Sequence, residues 1–489
     1  MKSFYWCGIA FVILSGCKSL GPDYQVPQSR KMDAWQDQLV REMKPSSVSL
    51  PVWWEVFKDE ALTTLIRAAE TNNLDLAVAV LRVEEAQQVI RSAISGLSPM
   101  AEANGSVYRS RTSEAFGAGG KIPFNPQRAY SAEFALGWEL DVWGRVRRGI
   151  EAAKGQWEAS IEDVRDVLVI VRGEIGIRYV QLRTLQQRLR YVRQNIELQE
   201  KTLKLTQDRH AAELTGELDV RQAEVNLAST RAMLPRFEAL QMETLNRLCV
   251  LNGQVPGSLN HLLEKETAVP VIREMPQALP AELVRRRPDV RAAERRLAAQ
   301  TARVGMTEAE LYPKFTLNGT FGWSAASGAD WFRPASRMYG FGPSVTMPIF
   351  NRQPILSAIK IEELRVKQAF TAWEQSVLVA YAESQNAMTG YVRQLAREQE
   401  LQNAVTAALR SVVLVESLYR NGLTDFQNVL DTQRQLMQKQ DELAETQGDV
   451  ALQLITLYKA FGGGWSETSP SFQKACREKK ISVKTEENE

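Results

Sequence analysis

Two long stretches of this chain are copies of one unit, and a fold that ignores that duplication is excluded. Val220, Leu227, Leu234 and Leu248 recur at one constant offset as Val429, Leu436, Leu443 and Leu457. Tyr130 and Gly253 recur at the same offset as Tyr339 and Gly462. The spans 130–253 and 339–462 are therefore ungapped copies, and 75–99 matches 289–313 with a small difference in the connecting loop. A tandem repeat of about 210 residues predicts one body built of two similar halves.

Each copy closes in a helical pattern. After an Asn421-Gly422 turn, Val429, Leu436, Leu443, Val450 and Leu457 stand at seven-residue spacing, which predicts a helix with an apolar seam. Gln433, Gln440 and Gln447 hold the next seam position before Leu454 does. The expected helix thus has one greasy edge and a wide polar remainder, with a neighbour on one side and water on the other. Upstream, 144–208 and 353–419 carry a helical pattern of roughly 65 residues, or about 100 Å of helix, each followed by a turn and a return helix. A hairpin of that length is a strut or a wall rather than a compact core. Pro235 interrupts the first return helix where the second has Ala444, which predicts a local break.

Between the helices the period changes to two. In 130–142, Ala132, Phe134, Leu136, Trp138, Leu140 and Val142 alternate with Ser131, Glu133, Gly137, Glu139 and Asp141. In 314–324, Phe315, Leu317, Phe321 and Trp323 alternate with Lys314, Thr316, Asn318 and Thr320. The run 339–349 presents Phe341, Val345 and Met347, and 101–111, the weakest, presents Ala103 and Val107. Each run has about the ten residues that a tilted strand needs to cross a bilayer, and Trp138, Trp143, Trp323 and Tyr339 suit aromatic girdles at its interfaces. A soluble sandwich with one buried face fits the strands equally well; the long helices favour the membrane. Four strands cannot close a barrel, and open edges are not tolerated in lipid, so copies must share one: two would supply eight strands and three would supply twelve.

The N-terminus reads as an export signal. Lys2 precedes an apolar run from Phe4 to Leu14, too short to span a bilayer, and Leu14-Ser15-Gly16-Cys17 resembles a bacterial lipobox that would make Cys17 a lipidated first residue. Lys18, rather than Asp, fits passage to the outer membrane. Gly21-Pro22-Asp23-Tyr24 and the prolines at 27, 45 and 51 read as an extended segment draped over the body. The expected layout is a signal peptide over 1–16, a lipidated segment over 17–58, a first repeat over 59–253, an inter-repeat linker over 254–280, a second repeat over 281–465 and a disordered tail over 466–489.

Several chemistries are disfavoured. With 60 basic and 58 acidic residues the net charge is +2, which gives no general attraction to nucleic acid. His210 and His261 have no second histidine or cysteine at ligand spacing, so neither a metal nor a cofactor is expected beyond the covalent lipid. Cys249 and Cys476 do not suggest a disulfide framework. Arg285-Arg286-Arg287 before Pro288-Asp289 reads as a polar helix entry, and Arg147, Arg148, Arg165, Arg172, Arg183, Arg188 and Arg193 as a solvated helical face. No hydrolase or metalloprotease signature is present, so the chain is not expected to be an enzyme.

Specific motifs then point to a family. Arg286-Arg287-Pro288-Asp289-Val290-Arg291-Ala292-Ala293-Glu294, Leu218-Asp219-Val220 with Gln222-Ala223-Glu224, Leu430-Asp431 with Gln433-Arg434, and Leu457-Tyr458-Lys459-Ala460 with Gly462-Gly463-Gly464-Trp465 resemble signatures of the TolC-type outer membrane efflux lipoproteins. The resemblance covers about 17–465. It implies a mixed, mainly α fold: a homotrimeric transmembrane β-barrel with four strands per chain and twelve in total, continued by a long helical periplasmic tunnel. It also implies a periplasmic adaptor and an inner membrane pump of the RND class as partners.

By the same resemblance the tunnel tip lies at the turns, 209–218 and 419–428, with Thr215, Gly216, Gly422 and Leu423 placed to dock the adaptor. The second hairpin carries the gate: Asp431 matches a luminal carboxylate ring, Tyr419 a tyrosine tying the hairpin to its neighbour, and Arg420, Asp425 and Asn428 are polar companions. Three copies of Asp431 near an axis would repel one another and attract cations. Gln427 stands where relatives often carry Leu, and Glu213 where they usually carry Gly. The competing reading is a periplasmic adaptor or a structural coiled-coil lipoprotein of the envelope, which would have one hairpin and no membrane-type strands.

Overall fold

The computed structural model describes residues 19–28, 32, 35, 49–111, 113, 127–263, 267–269, 271–276 and 285–466. Cys17, the expected signal segment and the expected tail beyond Ser466 lie outside the described residues. A 3-10 helix, Leu50–Phe57, precedes α1 (Glu60–Asn72), α2 (Leu74–Ser95), β1 (Met100–Ser110), β2 (Gln127–Leu140), α3 (Arg145–Ala211), α4 (Glu217–Arg231) and α5 (Met233–Leu251). There follow α6 (Asn260–Leu263), α7 (Pro288–Glu308), β3 (Lys314–Ala325), β4 (Arg337–Thr346), α8 (Gln353–Arg420) and α9 (Phe426–Ala460). The fold is mainly helical with one small sheet. Helices α3 and α8 have 67 and 68 residues, about 100 Å each at the α-helical rise.

The chain divides into two compact units. The first comprises Glu84–Ala159, Ala293–Trp373 and the described residues up to Gln28; the second holds the remainder.

In the first unit all four strands form one antiparallel sheet in the order β1-β2-β3-β4. Register sorts the side chains by face. Ala103, Phe134, Phe321 and Tyr339 form one cross-strand row, and Ala101, Leu136, Gly319 and Phe341 form the next. The opposite face carries Asn104 beside Glu133, Ser106 beside Ser131, and Thr316 beside Ser344. Alternation at period two thus yields an apolar face and a polar one. The apolar face is not buried: Phe134, Phe321, Tyr339, Phe341 and Val345 are all exposed. A soluble sandwich would have covered that face, and among the described residues no second sheet does so.

The strand ends differ from the sequence reading for a local reason. β2 stops at Leu140 instead of running to Val142, because Asp141 accepts the Val146 and Arg147 amides at 2.9 and 3.0 Å and so starts α3. β4 ends at Thr346, before Pro348, rather than at Ile349. Residues 19–28 of the N-terminal segment carry no helix or strand and are fixed by named groups, whereas Leu50–Phe57, expected to be extended, is a 3-10 helix that buries Trp53, Trp54, Val56 and Phe57 in the core. Leu20 N–H donates to the Trp143 carbonyl at 3.1 Å, Arg148 donates to the Leu20 and Gly21 carbonyls and to Asp23, and the Tyr24 hydroxyl donates to Glu294 at 2.9 Å.

The second unit is a helical core. Leu62, Leu65, Ile66 and Ala69 share one face of α1 and are fully buried with Trp53, Trp54, Ile175, Leu248, Tyr391, Leu454 and Tyr458. Each buried leucine or isoleucine among them contributes about 1.5–3 kcal/mol of apolar transfer. Asp59 caps α1 by accepting the Leu62 amide at 3.1 Å. Gly176 is required where α3 passes Trp53, since a Cβ there would lie 2.6 Å from the indole.

Two expectations about polar residues are corrected here. Arg148, Arg165, Arg172 and Arg183 are buried, not solvated. Arg172 binds Glu70 at 2.5 Å and the Gly464 carbonyl and lies 4.9 Å from the Trp54 ring centre; Arg165 and Arg291 share Glu162 and flank Trp465. Burial is compensated by these pairings and ring contacts. Gln433 and Gln440 are buried as well, against α3: Gln433 Nε2 donates to Thr202 Oγ1 at 2.8 Å, and Asn195 Nδ2 donates to Gln440 Oε1 at 2.7 Å. The polar seam positions face protein instead of water.

Candidate gate and docking turns

Both turns belong to the second unit. After α3, Glu213 N–H donates to the His210 carbonyl and Leu214 N–H to the Arg209 carbonyl, both at 2.9 Å. After α8, Gly422 N–H donates to the Tyr419 carbonyl at 3.0 Å and Leu423 N–H to the Leu418 carbonyl at 2.9 Å. Each pair satisfies carbonyls that the helix end leaves open and requires a left-handed residue, here Glu213 at φ 58° and Gly422 at φ 73°. The following leucines, Leu214 and Leu423, project outward at 65% and 72% exposure. The next residues pair alike: Thr215 Oγ1 donates to Asp219, and Asn428 Nδ2 donates to Thr424 Oγ1 at 2.9 Å. Gly216 and Asp425 are the extended residues that start α4 and α9, and neither supplies a side-chain cap.

The second turn has an anchor that the sequence reading missed. Arg209, at the end of α3, donates to the Tyr419 and Arg420 carbonyls at 2.9 and 3.1 Å and lies 4.7 Å from the Tyr419 ring centre. A guanidinium there neutralises the carbonyl end of α8 and holds it to α3. Its signal was a basic residue in the last turn of a helix, which says nothing of a partner some 210 residues away. Tyr419 is 2% exposed, 5.4 Å from Phe426 between ring centres, in a cluster with Ala223, Val429 and Leu430. Its hydroxyl has no hydrogen-bond partner among the described residues.

Of the remaining candidates, Gln427 and Asp431 come together at the surface, with Gln427 Nε2 donating to Asp431 Oδ1 at 3.0 Å. Arg420, Asp425 and Asn428 are exposed. Thr215 lies beside His210, whose Nδ1 is 2.9 Å from the Thr215 carbonyl. One turn before Tyr419, Glu416 is half-buried, and burial pushes its carboxyl above the usual range, opposed by the Gln433 amide and by Arg420 and Lys201. Among the described residues no group of His, Cys, Asp and Glu is placed to hold a metal, and no helix is long and apolar enough to cross a membrane.

A family model described as Outer membrane efflux protein matches residues 65–254 and 279–463. The chain belongs to the outer membrane efflux protein family. This efflux protein is 29% identical to the solvent efflux pump outer membrane protein SrpC of Pseudomonas putida, across 94% of its own length and 97% of the relative's. It is 31% identical to the pyoverdine export outer membrane protein OpmQ of Pseudomonas putida, across 86% and 89%. Among solved structures it is similar to the outer-membrane channel OprN, with a TM-score of 0.82 and 30% identity over 91% of this chain and 99% of that one. Family and neighbours are channel proteins of the outer membrane, not enzymes. The adaptor alternative, a chain without membrane strands, gives way to these matches.

Proposed function

We propose that this efflux protein is the exit duct of a tripartite efflux system, giving small molecules expelled by an inner membrane pump a passive path across periplasm and outer membrane. One observation carries the reading: a four-stranded sheet with an exposed apolar face and two open edges, on a chain that also has two helices of about 100 Å. A sheet of that kind needs lipid on its apolar face and further strands on its edges. Three copies complete a twelve-stranded barrel whose polar face lines the lumen, and two structural repeats in each chain build the tunnel wall. Cys17 carries the lipid, and an adaptor bridges to an RND-class pump.

The second turn acts as the gate. Asp431, with Gln427 beside it, forms the luminal carboxylate ring, Tyr419, Arg420, Asp425 and Asn428 surround it, and Thr215, Gly216, Gly422 and Leu423 meet the adaptor. A duct needs no reactive group, only a water-filled lumen, a lipid-facing band and a controllable constriction.

Purified in mild detergent, the protein is expected to run as a trimer and to form ion channels in planar bilayers. A compact monomer without conductance overturns the reading. Asp431→Ala is expected to raise conductance at unchanged trimer stability; an unchanged conductance removes Asp431 from the gate.

A further inference from the structure

The contact that joins α8 to α9 one helical turn before the second turn is incomplete. Gln433, 1% exposed, gives its amide N–H groups to Thr202 Oγ1 at 2.8 Å and to Glu416 Oε1 at 3.4 Å. The Thr202 hydroxyl cannot return the bond, since its proton is given to the Leu198 carbonyl at 3.1 Å. Gln433 Oε1 is therefore a buried acceptor with no donor among the described residues. Such an atom is destabilising until a donor reaches it. A carboxylate has none to give, whereas a carboxylic acid has one.

We propose that Glu416 is a positioning residue that tightens the second turn on acidification: when it takes a proton from solvent, its carboxyl donates to Gln433 Oε1 and ties α8 to α9. The charges that reach Glu416 are Arg420 on its own helix and Lys201 on α3, the latter already paired with Glu197 at 2.7 Å. The facing group on α9 is the neutral Gln433 amide. A carboxyl held high by burial in the packed turn binds its proton more tightly there than in an opened one. Acid therefore favours the packed turn, and the effect fades as pH rises through the raised value.

The contact does not depend on the duct; its effect on closure rests on the second turn being the gate. Hydrogen exchange of the Gly422 and Leu423 amides in the full-length protein, corrected for intrinsic rates, tests it directly. In the wild type, exchange is expected to slow about fivefold from about pH 8 to about pH 3.5, below the ordinary glutamate range where the linked proton is fully bound, the factor one neutral hydrogen bond is worth. Glu416→Gln, which carries a permanent donor, is expected to be slow at both values, and Glu416→Ala fast at both. A pH response that survives in Glu416→Gln overturns the proposal, as does a wild type with no response. Protection that responds to acid in a protein that never conducts keeps the contact and removes the duct. Conduction with a flat exchange profile does the reverse.

Discussion

The turn after α3 and the turn after α8 close with the same pair of backbone hydrogen bonds, yet they are held in different ways. The first puts Glu213 in the left-handed region and leaves His210 exposed. The second has Gly422 there and buries Tyr419 against Phe426, under the guanidinium of Arg209. Backbone geometry follows from how helices end, so both turns can share it. Rigidity follows from what the side chains reach. The first turn depends on local polar contacts, and the second is fastened to another helix.

Removing the fastening is the largest test of that contrast. Arg209→Ala deletes two charge-assisted bonds to the end of α8 and is expected to weaken the second turn by about 2 kcal/mol, read as faster exchange of the Gly422 and Leu423 amides. The Glu213 and Leu214 amides should change much less; equal loosening of both turns would erase the distinction. Exchanging the left-handed residues comes next. Gly422→Ala is expected to cost about 1 kcal/mol, and Glu213→Gly to recover somewhat less, in thermal unfolding. Identical responses of opposite sign would mean that fastening contributes nothing at this level.

The smallest effect sharpens the comparison most. The Tyr419 hydroxyl has no partner within the described chain, so Tyr419→Phe is expected to leave a dissociated subunit's stability within about 0.5 kcal/mol. A lowered melting temperature seen only in the assembled protein would place the partner on another copy.

Much of the fold was legible because periodicity is a local property. The heptad positions from Val429 to Leu457 are buried as read, the break before Pro235 falls at Ala232, and the alternation in β2 and β3 separates two faces. What was not legible depends on partners far along the chain. Gln433 and Gln440 look like a wet edge until Thr202 and Asn195 are found opposite them. Arg172 looks solvated until Glu70 and Gly464 close around it. At the candidate gate the sequence located the two turns, but composition could not reveal Arg209 as the link between them or Gln433 Oε1 as an atom without a donor.

The interruption at Ala232 has a mechanical meaning. Pro235 has no amide proton for the Arg231 carbonyl, so the first return limb lacks one rung of its backbone ladder although Ala232 stays helical at φ −63° and ψ −16°, whereas α9 runs uninterrupted from Phe426 to Ala460. A proline in the first return limb thus removes one elastic tie that α9 keeps, which makes α9 the stiffer lever of the two.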